Sequence, residues 1–279
     1  MQTLTCGRFR LTLDRPRVMA IVNATADSFS GDGVGADLDA ALRRAEAALA
    51  GGADILDVGG ESTRPGAEPV PEQQELDRVV PLVERLADWP VPVSVDTLKP
   101  AVMRAAIAAG ASLINDVCAF RAPGAIEAVR ESDVALCVMH MRGEPRSMQA
   151  DPRYDDVVAE VAAFLRERVA ELRAQGVAQD RLIIDPGFGF GKTLEHNLAL
   201  LAALDRFVAQ GLPVLVGMSR KSMVGTLSGR PVAERMPASI AAALLAVQRG
   251  ARIVRVHDVA ATRDALAMWQ ALEDFASRR

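Results

Sequence analysis

Four polar residues, each at the end of a short apolar segment, could together bind one polar planar ligand. They are Asp96, Asn115, Asp185 and Lys221. Carboxylate and amide oxygens accept hydrogen bonds from amino and N–H groups, and an ammonium group donates to carbonyl and imine acceptors. Because isolated buried charges are unfavourable, four such residues on one rim are best explained by a ligand that they share.

Other polar residues lie in or beside apolar segments but have a competing structural interpretation. Asp54, Asp57 and Asp116 could be site carboxylates or could cap loops, and the sequence leaves both interpretations open. Asn23, taken alone, is more simply explained as a residue that holds the first loop. Residue type and position therefore do not decide the role of these four side chains.

Three glycine-bearing or polar segments add possible binding chemistry. Residues 57–66 are long and polar enough for a mobile catalytic loop. Residues 185–192 contain glycines that would let the backbone approach a ligand, with Phe190 as an aromatic face, but they fit neither a Walker A motif nor a dinucleotide fingerprint. Residues 219–222 precede a short helix-like segment, 223–227, and a helix N-terminus there would favour an anion.

These residues can meet only if the elements that carry them share one rim. Eight short apolar segments alternate with amphipathic, alanine-rich segments of helical spacing. The predicted strands are residues 18–22, 55–58, 93–95, 112–114, 134–139, 182–184, 214–216 and 253–256. The predicted helices are residues 38–50, 72–87, 101–109, 125–131, 157–175, 194–209, 233–249 and 260–275. This alternation predicts an α/β fold, a (β/α)8 TIM barrel, whose active site lies at the C-terminal ends of the strands.

Glycines mark the end of most of the predicted helices, as expected from the preference for glycine just past a helix C-terminus. Residues 3–13 alternate around Gly7 and predict a short N-terminal β-hairpin that closes the bottom of the barrel. No linker or low-complexity segment interrupts the remainder, so residues 1–279 are predicted to form a single domain.

Composition excludes several classes of function. The net charge of -4 provides no basic stripe for nucleic acid, and neither a membrane span nor a secretory signal is recognisable, so we expect a cytoplasmic protein. Cys6, Cys118 and Cys137 lack the spacing of a zinc site or a disulfide framework. His140 is interpreted as a core histidine, and His257 could be either a core or a site residue.

With these segments in place, the sequence resembles the dihydropteroate synthase family over nearly its whole length. The matching segments occur in the family's order and on the expected strands. They are residues 23–30, 57–66, 94–97, 114–117, 139–143, 185–192, 219–222 and 255–258.

The resemblance implies roles for individual residues. The pterin ring would be bound by Asp96, Asn115, Asp185 and Lys221, with Met139, Gly217 and Arg255 beside it. The diphosphate would be held by Asn23, Arg64, Arg255 and His257, and Asn23 would also contact a Mg²⁺ cofactor. The p-aminobenzoate pocket would be lined by Phe29, Thr63, Pro65, Phe190 and Ser222, with the substrate carboxylate at Ser222.

The reaction implied by the resemblance joins 6-hydroxymethyl-7,8-dihydropterin diphosphate to p-aminobenzoate in folate biosynthesis. Catalysis would depend on positioning and on stabilisation of the departing diphosphate. No protein nucleophile is required, which agrees with the lack of a recognisable Ser/His/Asp or Cys/His constellation. The resemblance further implies a homodimer and inhibition by sulfonamides.

The first loop departs from the family pattern. Ala26 stands where the family commonly has proline, and Gly31-Asp32-Gly33 replaces the usual Asp-Gly-Gly. We expect Asp27 and Asp32 to act in catalysis, with Asp32 replacing the family aspartate of position 31. In the alternative, Asp32 is a solvated turn residue and Asp27 alone provides the carboxylate of this loop.

Three other functions are compatible with parts of this pattern. A paralogue that binds pterin without turnover would explain the altered first loop. A pterin-dependent methyltransferase domain would share the barrel but should lack residues 61–65 and 219–222 as found here. A Schiff-base aldolase using Lys221 is disfavoured because Lys221 lies in a polar loop rather than in an apolar strand.

Overall fold

The computed structural model describes residues 2–24, 34–62, 66–144 and 147–278. Eight parallel strands form one sheet. They are β3 (Arg17–Asn23), β4 (Ile55–Gly59), β5 (Val93–Asp96), β6 (Leu113–Asp116), β7 (Ala135–Met139), β8 (Leu182–Asp185), β9 (Leu215–Val216) and β10 (Ile253–Val256). Their order in the sheet is β8-β7-β6-β5-β4-β3-β10-β9. A parallel bridge between Ile184 and Val214 joins β8 to the segment leading into β9. The sheet is therefore a nearly closed barrel, and the predicted fold class is confirmed.

Helices follow the strands and cover the outside of the barrel. They are α1 (Val34–Ala50), α2 (Glu72–Leu86), α3 (Pro100–Ala108), α4 (Ala125–Val129), α5 (Val157–Ala174), α6 (Leu194–Ala202), α7 (Leu204–Val208), α8 (Ser222–Ser228), α9 (Met236–Gln248) and α10 (Val259–Ala276). Among the described residues, no helix combines the length and the apolar character that a bilayer span requires.

Two predicted helices were wrong in extent. Residues 194–209 form two helices, because Ala203, at φ -103° and ψ 25°, ends α6 and begins α7. Leu200, Leu204 and Phe207 are fully buried on either side of this break, so packing outweighs the uniform helical propensity of the segment. Residues 233–249 begin as a short 3-10 turn, and α9 starts at Met236 with proline in its first turn.

The two faces of each strand enter different apolar clusters, as the period of two dictates. One set of residues packs outward against the helices and includes Val58, Ile114, Val138 and Ile184. The alternate residues fill the bottom of the barrel interior. They are Met19, Ile55, Leu113, Ala135, Cys137, Ile183, Leu215 and Ile253.

An antiparallel hairpin of β1 (Thr3–Cys6) and β2 (Phe9–Thr12) lies against this interior cluster, as predicted. Leu4 and Cys6 belong to the cluster and are fully buried. The Gly7 amide donates to the Asp133 carbonyl at 2.9 Å, and Gly7 adopts φ +57° in the turn. The hairpin therefore closes the N-terminal end of the barrel and leaves the opposite end for a site.

Candidate active site

On four of the strands, the inward-facing side chains change from apolar to polar two positions further along. Ile55 is followed by Asp57, Leu113 by Asn115, Ile183 by Asp185 and Ile253 by Arg255. Since side chains two apart on a strand point to the same face, these polar residues face the interior directly above its apolar bottom layer. The alternation of each strand thus turns separate sequence positions into one polar ring, in which Asp96 is also buried.

Arg255 is the centre of this ring. Its Nε donates to Asp57 Oδ2 at 2.6 Å, and its Nη2 donates to Asp96 Oδ2 at 3.0 Å. Asp57, which is fully buried, also accepts from Ser94 Oγ at 2.5 Å and from Asn115 Nδ2 at 3.5 Å. Burial alone would lower the pKa of Arg255, but the carboxylates of Asp57 and Asp96 outweigh it and raise that pKa. Arg255 is therefore a fixed cation.

Asp96 retains one unused acceptor. Its Oδ1 is buried and has no hydrogen-bond partner among the described residues. Burial raises the pKa of Asp96 to about 7, against the opposing effect of Arg255 and with a contribution from neighbouring carboxylates. A ligand that donated an N–H to Oδ1 would remove this penalty, because a hydrogen bond to the charged form favours ionisation.

Asp185 and Lys221 lie on the opposite part of the ring. Asp185 Oδ1 accepts from the Gly187 amide at 2.7 Å, and burial raises its pKa despite the nearby Lys221. Lys221 Nζ donates to the Phe188 carbonyl at 2.5 Å, and burial lowers its pKa to about 8 although Asp185 opposes the shift. A Cβ on Gly217 would lie 3.7 Å from Arg255 Cβ and 3.9 Å from Lys221 Nζ. Glycine there keeps the space between the two cations open.

A small apolar cluster lies beside these charged residues. Met139 and Phe190 belong to one buried cluster, together with Val117, Met141 and Met148. Lys221 Nζ lies 4.4 Å from the centroid of the Phe190 ring. The rim therefore combines hydrogen-bonding groups with flat apolar surface, which is the combination that a planar heterocycle requires.

A cavity of about 450 Å³ lies between β3, α1 and the start of α10, and Asn23 and His257 border it. His257 Nδ1 lies 3.0 Å from Ser219 Oγ. Arg220 also borders the cavity and is held in a two-point pair with Asp258, at 3.1 and 2.5 Å. Arg44 also lines the cavity, so its lining carries two arginines and a histidine, which suits an anion.

Comparison with known proteins agrees with this geometry. Residues 19–257 match the family model described as "Pterin binding enzyme". The dihydropteroate synthase of Neisseria meningitidis serogroup C is 51% identical over 271 residues, covering 95% of this chain and 96% of the relative. The chain belongs to the dihydropteroate synthase family.

Two solved structures show the same barrel for this family. The Burkholderia cenocepacia dihydropteroate synthase complexed with 7,8-dihydropteroate superimposes with a TM-score of 0.92 at 57% identity, covering 100% of this chain and 99% of that one. The Yersinia pestis dihydropteroate synthase with a sulfonamide drug gives a TM-score of 0.93 at 48% identity, covering 98% and 100%.

Within this dihydropteroate synthase family member, tertiary contacts decide the carboxylates that the sequence left open. Asp54 pairs with Arg15, Arg17 and Arg263 near the N-terminal end of the barrel, so its role is structural. Asp116 accepts from the amides of its own loop, Cys118 at 2.7 Å and Phe120 at 2.6 Å. The interpretation of Asp116 as a loop cap is therefore correct.

Asp57, whose role the sequence left open, and Lys192, which it did not assign, both take part in the contacts of the site. The alternation Ile55, Asp57 places Asp57 on the interior face, and this signal could have identified it. Lys192 is buried and donates to the carbonyls of Gly187 and Phe190 at 2.8 and 3.0 Å. No local pattern identifies that role, because the carbonyls converge only in the folded loop.

His140 is the core histidine that the sequence indicated. Its Nδ1 lies 3.0 Å from Lys192 Nζ, and its ring packs edge-on against Phe164. Burial lowers the pKa of His140 to about 2. It is therefore a neutral imidazole at physiological pH.

Some predicted site residues lie outside the described residues: Asp27, Phe29, Asp32, Thr63, Arg64 and Pro65. Ser222 is the exposed first residue of α8, directly after Lys221, so the predicted helix start is confirmed. Within the described ranges, no group of three or more His, Cys, Asp or Glu residues could hold a metal ion.

Proposed function

We propose that this protein condenses 6-hydroxymethyl-7,8-dihydropterin diphosphate with p-aminobenzoate, giving 7,8-dihydropteroate and diphosphate. The observation that carries the proposal is the polar ring around Arg255, in which Asp96 Oδ1 is buried without a partner among the described residues. The complex of the Burkholderia relative with 7,8-dihydropteroate supports the identity of the product.

The pterin ring is assigned to the polar ring of the barrel. Asp96, Asn115 and Asp185 provide acceptor oxygens for the amino and N–H edge, and Lys221 donates to the carbonyl and imine edge. Arg255 and Gly217 lie beside the heterocycle, and Met139 provides apolar surface.

The diphosphate is assigned to the cavity bordered by Asn23 and His257. Arg255 and Arg64 are the further cations that the family resemblance assigns to it. Mg²⁺ typically takes one or two protein oxygens and several phosphate oxygens and waters. Asn23 fits such a limited role, with Asp27 and Asp32 as further candidates. When bound, Mg²⁺ would supply positive charge that neutralises the departing diphosphate.

The p-aminobenzoate is assigned to the outer side of Phe190 and Lys221. Phe190 offers an aromatic face, and Ser222 at the start of α8 is placed to meet the carboxylate. Phe29, Thr63 and Pro65 would complete this pocket from the first two loops.

The chemistry is a substitution at the pterin methylene group. The bond between this carbon and the diphosphate oxygen breaks, the aniline nitrogen forms the new bond to carbon, and that nitrogen loses a proton. The residues bind and orient both substrates and stabilise the charge on the leaving group; none needs to form a covalent bond.

A turnover assay with both substrates tests the proposal. We expect diphosphate release that depends on p-aminobenzoate and on Mg²⁺. Pterin binding without diphosphate release would instead identify a non-catalytic pterin-binding paralogue. Methyl transfer from a methylated pterin would identify the methyltransferase, and trapping of a substrate adduct by borohydride at Lys221 would identify the aldolase.

We also propose a homodimer and a cytoplasmic location. Met268, Leu272 and Phe275 are 74%, 63% and 57% exposed at helical spacing on α10, an apolar stripe that a second copy could cover. Sedimentation of the wild type and of Met268→Glu/Leu272→Glu should show a dimer and a monomer, respectively. Cell fractionation tests the location.

A further inference from the structure

The loop that follows β8 closes around one buried ammonium group. Lys192 Nζ donates to the carbonyls of Gly187 and Phe190 at 2.8 and 3.0 Å and lies 3.0 Å from His140 Nδ1. A longer contact of 3.4 Å joins it to the His140 carbonyl. An ammonium group directs three donors from a single atom, so it suits a point at which several acceptors converge. Lys192 thus ties the loop of residues 186–191 both to itself and to the end of β7.

A cation at this position is unfavourable in itself. Lys192 is almost fully buried. Burial lowers its pKa to about 7, although Asp185 opposes the shift. Because a neutral side chain would avoid this desolvation, the hydrogen bonds of Lys192 have to offset a cost, and two of them go to carbonyls of this loop.

The loop has a single close-packed conformation around this point. Its three glycines have φ between +64° and +80°. A Cβ on Gly187 would overlap the His140 carbonyl, and a Cβ on Gly189 would lie 3.1 Å from Lys221 Cδ. The Gly189 amide donates to Asn197 Oδ1 at 2.7 Å. The path of the loop is therefore specified from both sides, by β7 and by α6.

Two backbone groups of this loop contact the residues assigned to the pterin ring. The Gly187 amide donates to Asp185 Oδ1 at 2.7 Å, and the Phe188 carbonyl accepts from Lys221 Nζ at 2.5 Å. Burial raises the pKa of Asp185, and Lys221, the Gly187 amide and the charge of Lys192 oppose the rise. The orientation of both side chains and the ionisation of Asp185 thus depend on the loop that Lys192 holds.

We propose that Lys192 is a positioning residue for the pterin ring, which it does not itself contact. By drawing residues 186–191 together, it keeps the Gly187 amide on Asp185. In the same way it keeps the Phe188 carbonyl on Lys221. The inference rests on the part of the proposed function that assigns the pterin ring to Asp185 and Lys221.

The test is pterin binding by Lys192→Met, in which the stem of the side chain remains but its donors and charge are lost. We expect the Kd of 6-hydroxymethyl-7,8-dihydropterin, measured by calorimetry, to rise about tenfold, which corresponds to about 1.4 kcal/mol. The Kd of pyrophosphate with Mg²⁺ should stay unchanged, because the described residues that line the diphosphate cavity all lie outside this loop. General loosening of the barrel would instead weaken both ligands.

Arg181→Met is the matched control for the loss of a buried cation. Arg181 lies just before β8, whereas Lys192 follows it. Its guanidinium is buried and donates to the carbonyls of Val134, Arg130 and Val129 at 2.9, 3.0 and 2.8 Å. This variant should lower the melting temperature and leave the Kd of the pterin unchanged.

The inference is overturned if folded Lys192→Met binds the pterin with the wild-type Kd, or if it loses affinity for pyrophosphate to the same extent. An equal rise of the pterin Kd in Arg181→Met also overturns it. Should Lys192→Met not fold, Lys192→Gln is the second variant. Glutamine is neutral and one bond shorter but keeps two donors, so a severalfold rise is expected and an unchanged Kd overturns the inference.

Failure of the proposed function gives a different result. A wild type that binds no pterin would refute the assignment of the pterin ring, before any variant is compared. A wild type that binds the pterin but releases no diphosphate would refute the proposed reaction, and the effect of Lys192→Met on the pterin Kd would still decide the inference.

Discussion

Replacing Asp96 by asparagine should stabilise the free protein while it removes most of the pterin affinity. The Asp96 carboxylate is buried, one oxygen lacks a partner among the described residues, and burial raises its pKa from 3.8 to about 7. Asparagine has nearly the same shape without the charge. The ionised Asp96 thus favours ligand binding but lowers the stability of the ligand-free protein.

The magnitude follows from the pKa shift. A carboxyl group whose pKa is higher in the folded than in the unfolded state destabilises the fold when it is ionised, here by on the order of a few kcal/mol. The native site can relax around the charge, and we expect a net gain of about 1–2 kcal/mol for Asp96→Asn at pH 8.

The raised pKa of Asp96 fixes how the stability difference between wild type and Asp96→Asn changes with pH. Because the folded pKa lies above the unfolded one, the folded wild type binds more protons than the unfolded chain between pH 3.8 and about 7. Wild-type stability should therefore fall relative to the variant as pH rises through this window. The two proteins should converge below the unfolded pKa, where Asp96 is protonated in both states.

Urea unfolding at pH 5 and pH 8 measures the stability difference, and calorimetry measures pterin binding. Asp116→Asn is the matched control: burial also raises the pKa of Asp116, to about 6, but its oxygens accept two backbone amides, so this variant should lose stability. An Asp96→Asn protein that is less stable than wild type at pH 8, or that binds pterin with wild-type affinity, would refute the reasoning.

Four further outcomes are expected. Asp57→Ala should lower the free energy of unfolding by about 2–3 kcal/mol, because Arg255 keeps Asp96 but loses its closest carboxylate; a loss within the error of urea titrations would contradict this. Asp185→Asn should weaken pterin binding by about 1.5–3 kcal/mol, and unchanged calorimetric affinity would remove Asp185 from the site. Mg²⁺ with pyrophosphate should strengthen p-aminobenzoate binding, because the first two loops are predicted to contact both ligands, whereas equal affinity without pyrophosphate would indicate a preformed pocket. Sulfonamides should inhibit competitively with p-aminobenzoate, as the complex of the Yersinia relative suggests; full activity at saturating drug and limiting p-aminobenzoate would exclude this.

Local signals in the sequence were sufficient for the barrel and for much of its rim. Short apolar strands, helical spacing and glycines after the helices depend on residues close in sequence, and they placed all eight strands of the barrel. Because strand ends of a parallel barrel share one rim, the same signals predicted that Asp96, Asn115, Asp185 and Lys221 would meet. These local signals did not predict the helix break at Ala203, because every residue around it is compatible with a helix.

Tertiary structure alone decided the roles of three aspartates in similar contexts. Asp54, Asp57 and Asp116 all lie in or beside an apolar strand, but their partners come from different parts of the chain. Asp57 meets Arg255, 198 residues away, and Asp54 meets Arg263, 209 residues away, whereas Asp116 binds amides of its own loop. The residue type fixes the presence of a carboxyl group, but its function depends on which cation or amide the closed barrel places next to it, and that pairing is a property of the fold.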